Sequence, residues 1–449
     1  MTISQVLADY ILSLTLEKMP EEAVNAAKTH FVDGLACMFF GMNSRSVKFA
    51  MAYDRDSGST GDCLFPNAEG YRTGVESCAM LGAISAHSND FDDMSTALNG
   101  HPSALLVPVV FALAQKYPCT GRDMLLAYIA GVETDAIIGK IFASGGYYKG
   151  WNTTCFLGVI GAVAAAGRMM GLDRNQMVSA IGIAVNEASG FKANFGTPAK
   201  DLAIGSSARK AIMAAACANH GMTASADVFE GPFGLLQSFG INDTEMAMKI
   251  FSAHTSDFID PGLVMKPYPS CRGNHSGIDA AAELVARYGI TAKDVKRVLC
   301  YVDQAAYDTD RYAHPTTPDQ AKFSLAFCIG KIVSGGKITP QDFTGDEIAD
   351  KSALAFIEKV QIECRPELFS ESRFGTEVRM ELTDGRTLSE KVCFAKGDPN
   401  KPMTDEEIEE KLRSCLATAL GEDRADAAAK TLKHFDEASD VAELLGVLV

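Results

Sequence analysis

The sequence predicts a mainly α protein in two parts, a large helical part and a smaller α+β part. Three observations predict it. The chain has 449 residues, too many for one compact core. Apolar residues recur at helical spacing through its first two-thirds. After Pro261-Gly262 the pattern switches to short alternating, β-branched segments.

Taken in order, residues 3–17 and 20–40 read as helices, the second opened by Pro20 with Glu21-Glu22. Residues 158–172 and 206–221 are helical and rich in Gly and Ala, which lets neighbouring helices approach closely. Asp173 and Asn175 supply cap or turn chemistry for the next helix, and Ser189-Gly190 ends it. Beyond Pro261-Gly262 come a helix around 276–288, a strand over 295–301 and a helix over 319–333. Residues 360–364 and 376–382 read as strands. Thr383-Asp384-Gly385-Arg386 then turns the chain into 387–394, a strong hairpin signal. Gly397-Asp398-Pro399-Asn400-Lys401-Pro402 breaks this block, and Thr404-Asp405-Glu406-Glu407 caps a final helical region like that at the start. The expected organisation is a helical part over 1–262, an α+β part over 263–396 and a returning helical tail over 397–449. The sequence shows neither an internal repeat nor a low-complexity linker.

Composition narrows the function. Hydrophobic residues make up 47% and charged ones 22%, ordinary for a globular protein. A net charge of −16 argues against a nucleic-acid partner. It leaves room for an anionic substrate, because a few cations can invert the field inside a cleft. The first residues, Met1-Thr2-Ile3-Ser4-Gln5-Val6, lack a basic segment followed by an apolar run, so no signal peptide is expected. No continuous apolar stretch reaches about 18 residues, so no membrane partner is expected either. The 12 cysteines are scattered, without CxxC pairs or Cys/His spacing suited to zinc or an iron–sulfur cluster. Most sit in apolar runs and read as buried free thiols, which points to a cytoplasmic location.

Two stretches carry the chemistry. His87-Ser88-Asn89-Asp90-Phe91-Asp92-Asp93, followed by Gly100-His101-Pro102-Ser103, sets three carboxylates beside two imidazoles. Lys266-Pro267-Tyr268-Pro269-Ser270-Cys271-Arg272-Gly273-Asn274-His275 gathers two cations, an imidazole and a phenol. Asp90, Asp92 and Asp93 can be read as cation ligands, as carboxylates satisfying backbone donors at a helix end, or as groups that handle protons and orient a histidine. The alternating oxygen ligands and closing Glu of a calcium loop are absent. His101 stands at the start of the apolar helix 104–114, where the dipole favours a neutral base; the blander reading is a capping or packed histidine. Lys200, in a loop before a helix starting near 206, reads as a solvated surface lysine unless the fold brings it inward. Lys266, Arg272 and His275 converge where the architecture changes, and junctions favour clefts. Arg and Lys there suit a carboxylate. His87 reads as an orienting group, while His30, His220, His254 and His434 read as surface or cap residues, and His314 is open.

Together with Pro315-Thr316-Thr317-Pro318-Asp319-Gln320-Ala321-Lys322-Phe323-Ser324 and Gly397-Asp398-Pro399-Asn400-Lys401-Pro402-Met403, these stretches resemble the MmgE/PrpD family, over essentially the whole chain. That family includes 2-methylcitrate dehydratase, cis-aconitate decarboxylase and iminodisuccinate epimerase. The resemblance implies a large all-helical domain built from both chain ends, with a smaller α+β lid domain over 263–396. It also implies a homodimer and a site between helical domain and lid that uses no metal and no organic cofactor. Carried over residue by residue, the catalytic set is Asp90, His101, Lys200 and His275, with Tyr307 or the nearby Tyr312 after the first lid strand. Lys266, Arg272, Asn152 and Asp93 would bind substrate. Two departures stand out: Met94 where the family often has Thr, and Asn152 where cis-aconitate decarboxylase has an active-site His. Asn cannot exchange a proton at neutral pH, which weakens the decarboxylase reading.

The expected function is a lyase, a dehydratase of a small di- or tricarboxylate, acting by proton abstraction next to a carboxylate. His101 and His275 are the acid/base candidates, without an assignment of which is which. The alternatives are an epimerase of a substituted succinate, a cis-aconitate-type decarboxylase and a catalytically silent carboxylate-binding protein. Specificity is expected in loops such as Tyr147-Tyr148-Lys149.

Overall fold

The computed structural model describes residues 1–67, 69–142, 149–241, 243–440, 442, 444 and 445. Tyr147 and Tyr148 therefore lie outside the described residues. The protein is mainly α, with small sheets.

Its apolar side chains gather mainly into two clusters. The first is all-helical and takes residues from Ile3 through Leu263, then again from Leu412 through Leu444. The helix Val75–His87 is buried over almost its whole length, because none of its faces is polar enough to meet water. It packs against Glu21–Gly41, Pro102–Ala114 and Pro198–Asn219. Close approach depends on small residues. A Cβ on Gly82 would lie 2.8 Å from Pro108 Cβ and 3.1 Å from Met38 Sδ. The tail returns: Asp405–Leu420 packs against Glu21–Gly41, and its Leu412, Cys415 and Leu416 join the first cluster.

The second cluster runs from Val264 to Ala395, with Met94 as its contribution from earlier in the chain. Helices Arg272–Tyr288 and Leu325–Val333 pack together, and the first of them covers a four-stranded sheet. Its central strand, Val295–Val302, pairs parallel with Val360–Cys364 and antiparallel with Thr376–Leu382. The hairpin read from Asp384-Gly385 joins Thr376–Leu382 to Thr387–Val392. Gly385 takes φ +92, which that turn requires.

A two-residue antiparallel ladder, Met94↔Val264 and Ser95↔Leu263, ties the segment after the acidic motif to the chain entering the second cluster. The two motif stretches are thereby brought side by side.

Several boundaries differ from the sequence reading. The first helix ends at Ser13, not 17. The helix expected near 206 begins at Pro198, where proline needs no N–H partner, so Lys200 sits in its first turn and not in a loop. The helix expected around 276–288 begins at Arg272. The helix expected over 319–333 is two, Pro318–Ala321 and Leu325–Val333, because Ser324 caps the second by accepting from Phe327 N. Among the described residues no helix is long and apolar enough to cross a membrane. All 12 cysteines are free.

Candidate active site

The helix Val75–His87 delivers the acidic motif as it ends. The last carbonyls of a helix have no partner within it and carry partial negative charge. Here three lysines from three distant segments satisfy carbonyls of the helix end and the turn after it. Lys322 Nζ donates to Ser88 O at 2.6 Å, Lys266 Nζ to Asp90 O at 3.0 Å and Lys411 Nζ to Phe91 O at 2.9 Å. Lys411 also pairs with Asp33 at 2.7 Å and lies over the Phe91 ring. Asp90 takes φ +54, in the left-handed region that few residues other than glycine adopt.

That conformation aims the Asp90 carboxylate at cations. Its Oδ1 accepts from Lys266 Nζ at 2.8 Å, and its Oδ2 lies 3.6 Å from Lys200 Nζ. Burial alone would raise this carboxyl; Lys200 and then Lys266 overcome it and hold Asp90 far below its ordinary value. Burial works against the Lys200 charge in the same way, and Asp90 outweighs it, raising the ammonium above its ordinary range.

Asp92 joins the two imidazoles. Its Oδ2 is 2.9 Å from His87 Nδ1 and 3.2 Å from His101 Nδ1, and His101 Nδ1 is 2.8 Å from Asp93 O. A carbonyl and a carboxylate only accept, so Nδ1 of His101 carries the proton and the lone pair is on Nε2. Burial, with Lys200 adding repulsion, holds His87 down to about 4, so it is neutral. Asp92 would be raised by burial, but its imidazole partners keep it well below the usual carboxylate range.

A cavity of about 40 Å³ is lined by Asp90, His101, Asn152, Lys200, Cys271 and Arg272 among its polar groups. Met94, Phe195, Phe323 and Phe374 form its apolar walls. Lys200 Nζ stands over the Phe195 and Phe323 rings, 5.9 and 5.3 Å from their centroids. A wider groove, about 670 Å³, lies behind the same turn, with Ser88, Asn89 and Lys322 in its wall. Among the described residues its wall has no imidazole and no Asp90, so these groups of the acidic motif face the smaller cavity.

The structure thus brings together Asp90, His101, Lys200, Asn152 and Arg272. It sets the other expected residues elsewhere. Lys266 is fully buried behind Asp90 and spends its ammonium there. Asp93 does not face the cavity: it accepts from Ser103 N and Oγ at the start of Pro102–Ala114 and pairs with His30 at 3.0 Å. It is a helix-end carboxylate, the structural option among the readings of this motif.

His275 is also outside the cavity lining. Its Nε2 donates to Ser270 O at 3.2 Å, and its Nδ1 is buried without a partner. Burial, then Arg272 and Lys266, hold it well below its ordinary value, so it is neutral. Tyr307 is 47% exposed on the helix Gln304–Thr309, which turns its phenol outward. Tyr312 takes the inward position instead, packing with Phe195, Cys271 and Phe323 and donating from Oη to Phe195 O at 2.7 Å. His30 and His254, read as surface or cap residues, turn their rings inward instead, to within 3.0 Å of Asp93 and 2.6 Å of Glu133.

Sequence reasoning missed Cys271 as a cavity residue, and missed Lys322 and Lys411 altogether. Cys271 and Lys322 stand inside motifs that were singled out, which was the available signal. Lys411 stands on an exposed-looking helical tail and offered none.

Among the described residues, His87, Asp90, Asp92 and His101 offer ligand atoms within 4.8 Å of one another, as a metal site would need. The donor set fits a cation poorly. Asp90 already faces two ammonium groups, and the Nδ1 proton of His101 is given to Asp93 O, with Asp92 Oδ2 beside it. A divalent ion would meet compensated carboxylates and two nearby positive charges.

Two family models match the chain: the MmgE/PrpD N-terminal domain over residues 5–246 and the MmgE/PrpD C-terminal domain over 268–437. The chain belongs to the MmgE/PrpD family. It is 25% identical over 460 residues to cis-aconitate decarboxylase of Homo sapiens, covering 100% of this chain and 94% of that one. It is 24% identical over 473 residues to a cis-aconitate decarboxylase-like protein of Aspergillus oryzae, covering 99% and 97%. To cis-aconitate decarboxylase of Aspergillus terreus it is 22% identical over 474 residues, covering 99% and 96%. These relatives are lyases by name, at an identity that leaves the reaction of this chain to be argued from its own residues.

Proposed function

We propose that this chain is a carboxylate lyase of the dehydratase type, which takes a proton from the carbon beside a substrate carboxylate and expels water. The observation that carries the reading is the state of the groups facing the cavity. Asp90 is held ionised by two lysines, and Lys200 is held cationic by Asp90. Burial pushes the Cys271 thiol up to about 12. Among the described residues of the lining, His101 is then the base whose second ring nitrogen can take a proton from carbon.

His101 Nε2 takes the proton, and the electron pair it leaves is drawn toward the adjacent carboxylate. Lys200 and Arg272, both buried and held by carboxylates, oppose the charge that builds there. The same imidazolium returns its proton to the departing hydroxyl, so that water leaves and a carbon–carbon double bond forms. One imidazole suffices for this. Asn152 lines the pocket and can hydrogen-bond a carboxylate, but it cannot supply the second proton carrier that an imidazole there would give a decarboxylase.

The second reading, epimerisation of a substituted succinate, needs a proton carrier on the opposite face. Cys271 is the lining residue that would serve, and its raised thiol argues against it. The proposal further takes residues 263–396 as a lid, the chain as a homodimer and the site as independent of metal and organic cofactor. The test is turnover of hydroxy-di- and tricarboxylates by the purified protein. Release of water with formation of an alkene supports the dehydratase reading; racemisation without an alkene would replace it by epimerisation.

A further inference from the structure

The turn Gly397-Asp398-Pro399-Asn400-Lys401-Pro402 takes no part in the proton chemistry, yet it is built against the site. Met265 N donates to Gly397 O at 2.9 Å, and a Cβ on Gly397 would lie 1.8 Å from Met265 O. With φ +83, the position admits glycine and locks the turn against the residue before Lys266. Asp398 follows. Its Oδ1 accepts from the backbone N and Nδ2 of Asn400 at 3.0 and 2.9 Å, and its Oδ2 accepts from Arg272 Nη2 at 3.0 Å.

Arg272 lines the cavity, is 4% exposed and opens the 17-residue helix Arg272–Tyr288. Asp398 occupies one of its three guanidinium nitrogens. The other two, Nε and Nη1, are buried with no hydrogen-bond partner. Buried donors without acceptors are costly, and a structure keeps them where a ligand supplies the acceptors. The N-cap residue of the helix, Cys271, makes no side-chain cap, so the positive end of the helix dipole adds to the same place.

We propose that Asp398 is a positioning residue: it fixes the Arg272 guanidinium so that Nε and Nη1 receive one carboxylate of the substrate. This rests on the reading that the substrate is a carboxylate. Asn400 holds the far oxygen of Asp398 and is part of the same device.

The test uses the full chain with three probes, succinate, tricarballylate and cis-aconitate, measured by calorimetry on wild type, Asp398→Asn, Arg272→Lys and the double variant. Each single substitution is expected to raise Kd about tenfold or more, as the loss of a charge-assisted hydrogen bond predicts, and Arg272→Lys to lower kcat as well, because that guanidinium also opposes the developing charge. The double variant is expected to bind no more weakly than Arg272→Lys alone, because Asp398 acts through Arg272. A lid staple without a ligand role would lower Tm and leave Kd in place. Asp398→Asn binding like wild type, losses that multiply in the double variant, or no probe bound by wild type would each overturn the proposal. If Asp398→Asn does not fold, Asn400→Ala replaces it, with a milder rise in Kd expected and an unchanged Kd overturning. Binding sensitive to both residues but with no turnover or deuterium exchange would sink the lyase reading and leave the Asp398 assignment standing.

Discussion

His101 keeps 19% exposure of its side chain, against 1% for His87, although both rings lean on the same Asp92 oxygen. Under the proposed reaction that difference separates their roles: His87 is the neutral ring that holds Asp92, and His101 is the ring that would meet the substrate. His101→Ala is expected to lower turnover on the order of 10² to 10⁴-fold, the usual span for a lost general base. Thermal melting should fall only modestly, since the ring lies outside both apolar cores and gives up one hydrogen bond; steady-state kinetics and Tm on the same preparation check both halves.

Asp310 offers a test of pH dependence at the same scale. Its Oδ1 accepts from Leu325 N, while its Oδ2 is buried without a partner, and burial lifts the carboxyl to about 7 from an ordinary 3.8. The folded chain therefore keeps this proton over a range where an unfolded Asp has lost it. The stability it contributes is fully present below about 4 and is lost as pH rises through about 7. Asp310→Asn keeps the acceptor for Leu325 N and never ionises. It is expected to melt above wild type at pH 8, with the gap shrinking as pH falls toward 5. A gap that does not change with pH in melting curves would refute the assignment.

At the scale of elements, the end of the helix Val75–His87 is organised by cations that arrive from elsewhere. Lys322 and Lys411 lie 234 and 320 residues along the chain from the carbonyls they satisfy. Replacing Lys411 by Met leaves Asp33 buried and unpaired, so a loss of about 3–5 kcal/mol in unfolding free energy is expected, read by denaturant titration. An unchanged midpoint would show that the returning tail helix is not what holds the turn.

These lysines also mark what the sequence could and could not disclose. The acidic and basic motifs were legible because charged residues packed between Gly and Pro are hard to explain as a solvated face. The Asp-Gly hairpin and the helical spacing of the first two-thirds were legible for the same local reasons. His275 and Asp93 were misplaced because a motif gives residue types, not which side of a turn faces the cavity. Tyr307 and Tyr312, five positions apart, differ by a short helix that turns one outward. Lys411 was invisible because its partner is set by packing of the tail against Glu21–Gly41, which no local pattern encodes.

At the scale of the molecule, a chain of net charge −16 concentrates Lys200, Lys266, Arg272, Lys322 and Lys411 around one turn. Such a patch inside an acidic envelope suits an anionic ligand. Lys200 and Lys411 come from the helical part, and the other three from the α+β part. The site exists only when the two apolar cores sit against each other, joined at the Met94↔Val264 ladder.

The central claim is that His101 moves a proton on carbon next to a carboxylate. It is tested most directly by incubating the purified protein with a panel of hydroxy-di- and tricarboxylates in deuterated water and following each by NMR. At least one member is expected to lose water to give an alkene, with His101→Ala slowing this on the order of 10²-fold or more while remaining folded. A panel that shows neither elimination nor deuterium at the α-carbon, or turnover undiminished in His101→Ala, would contradict it.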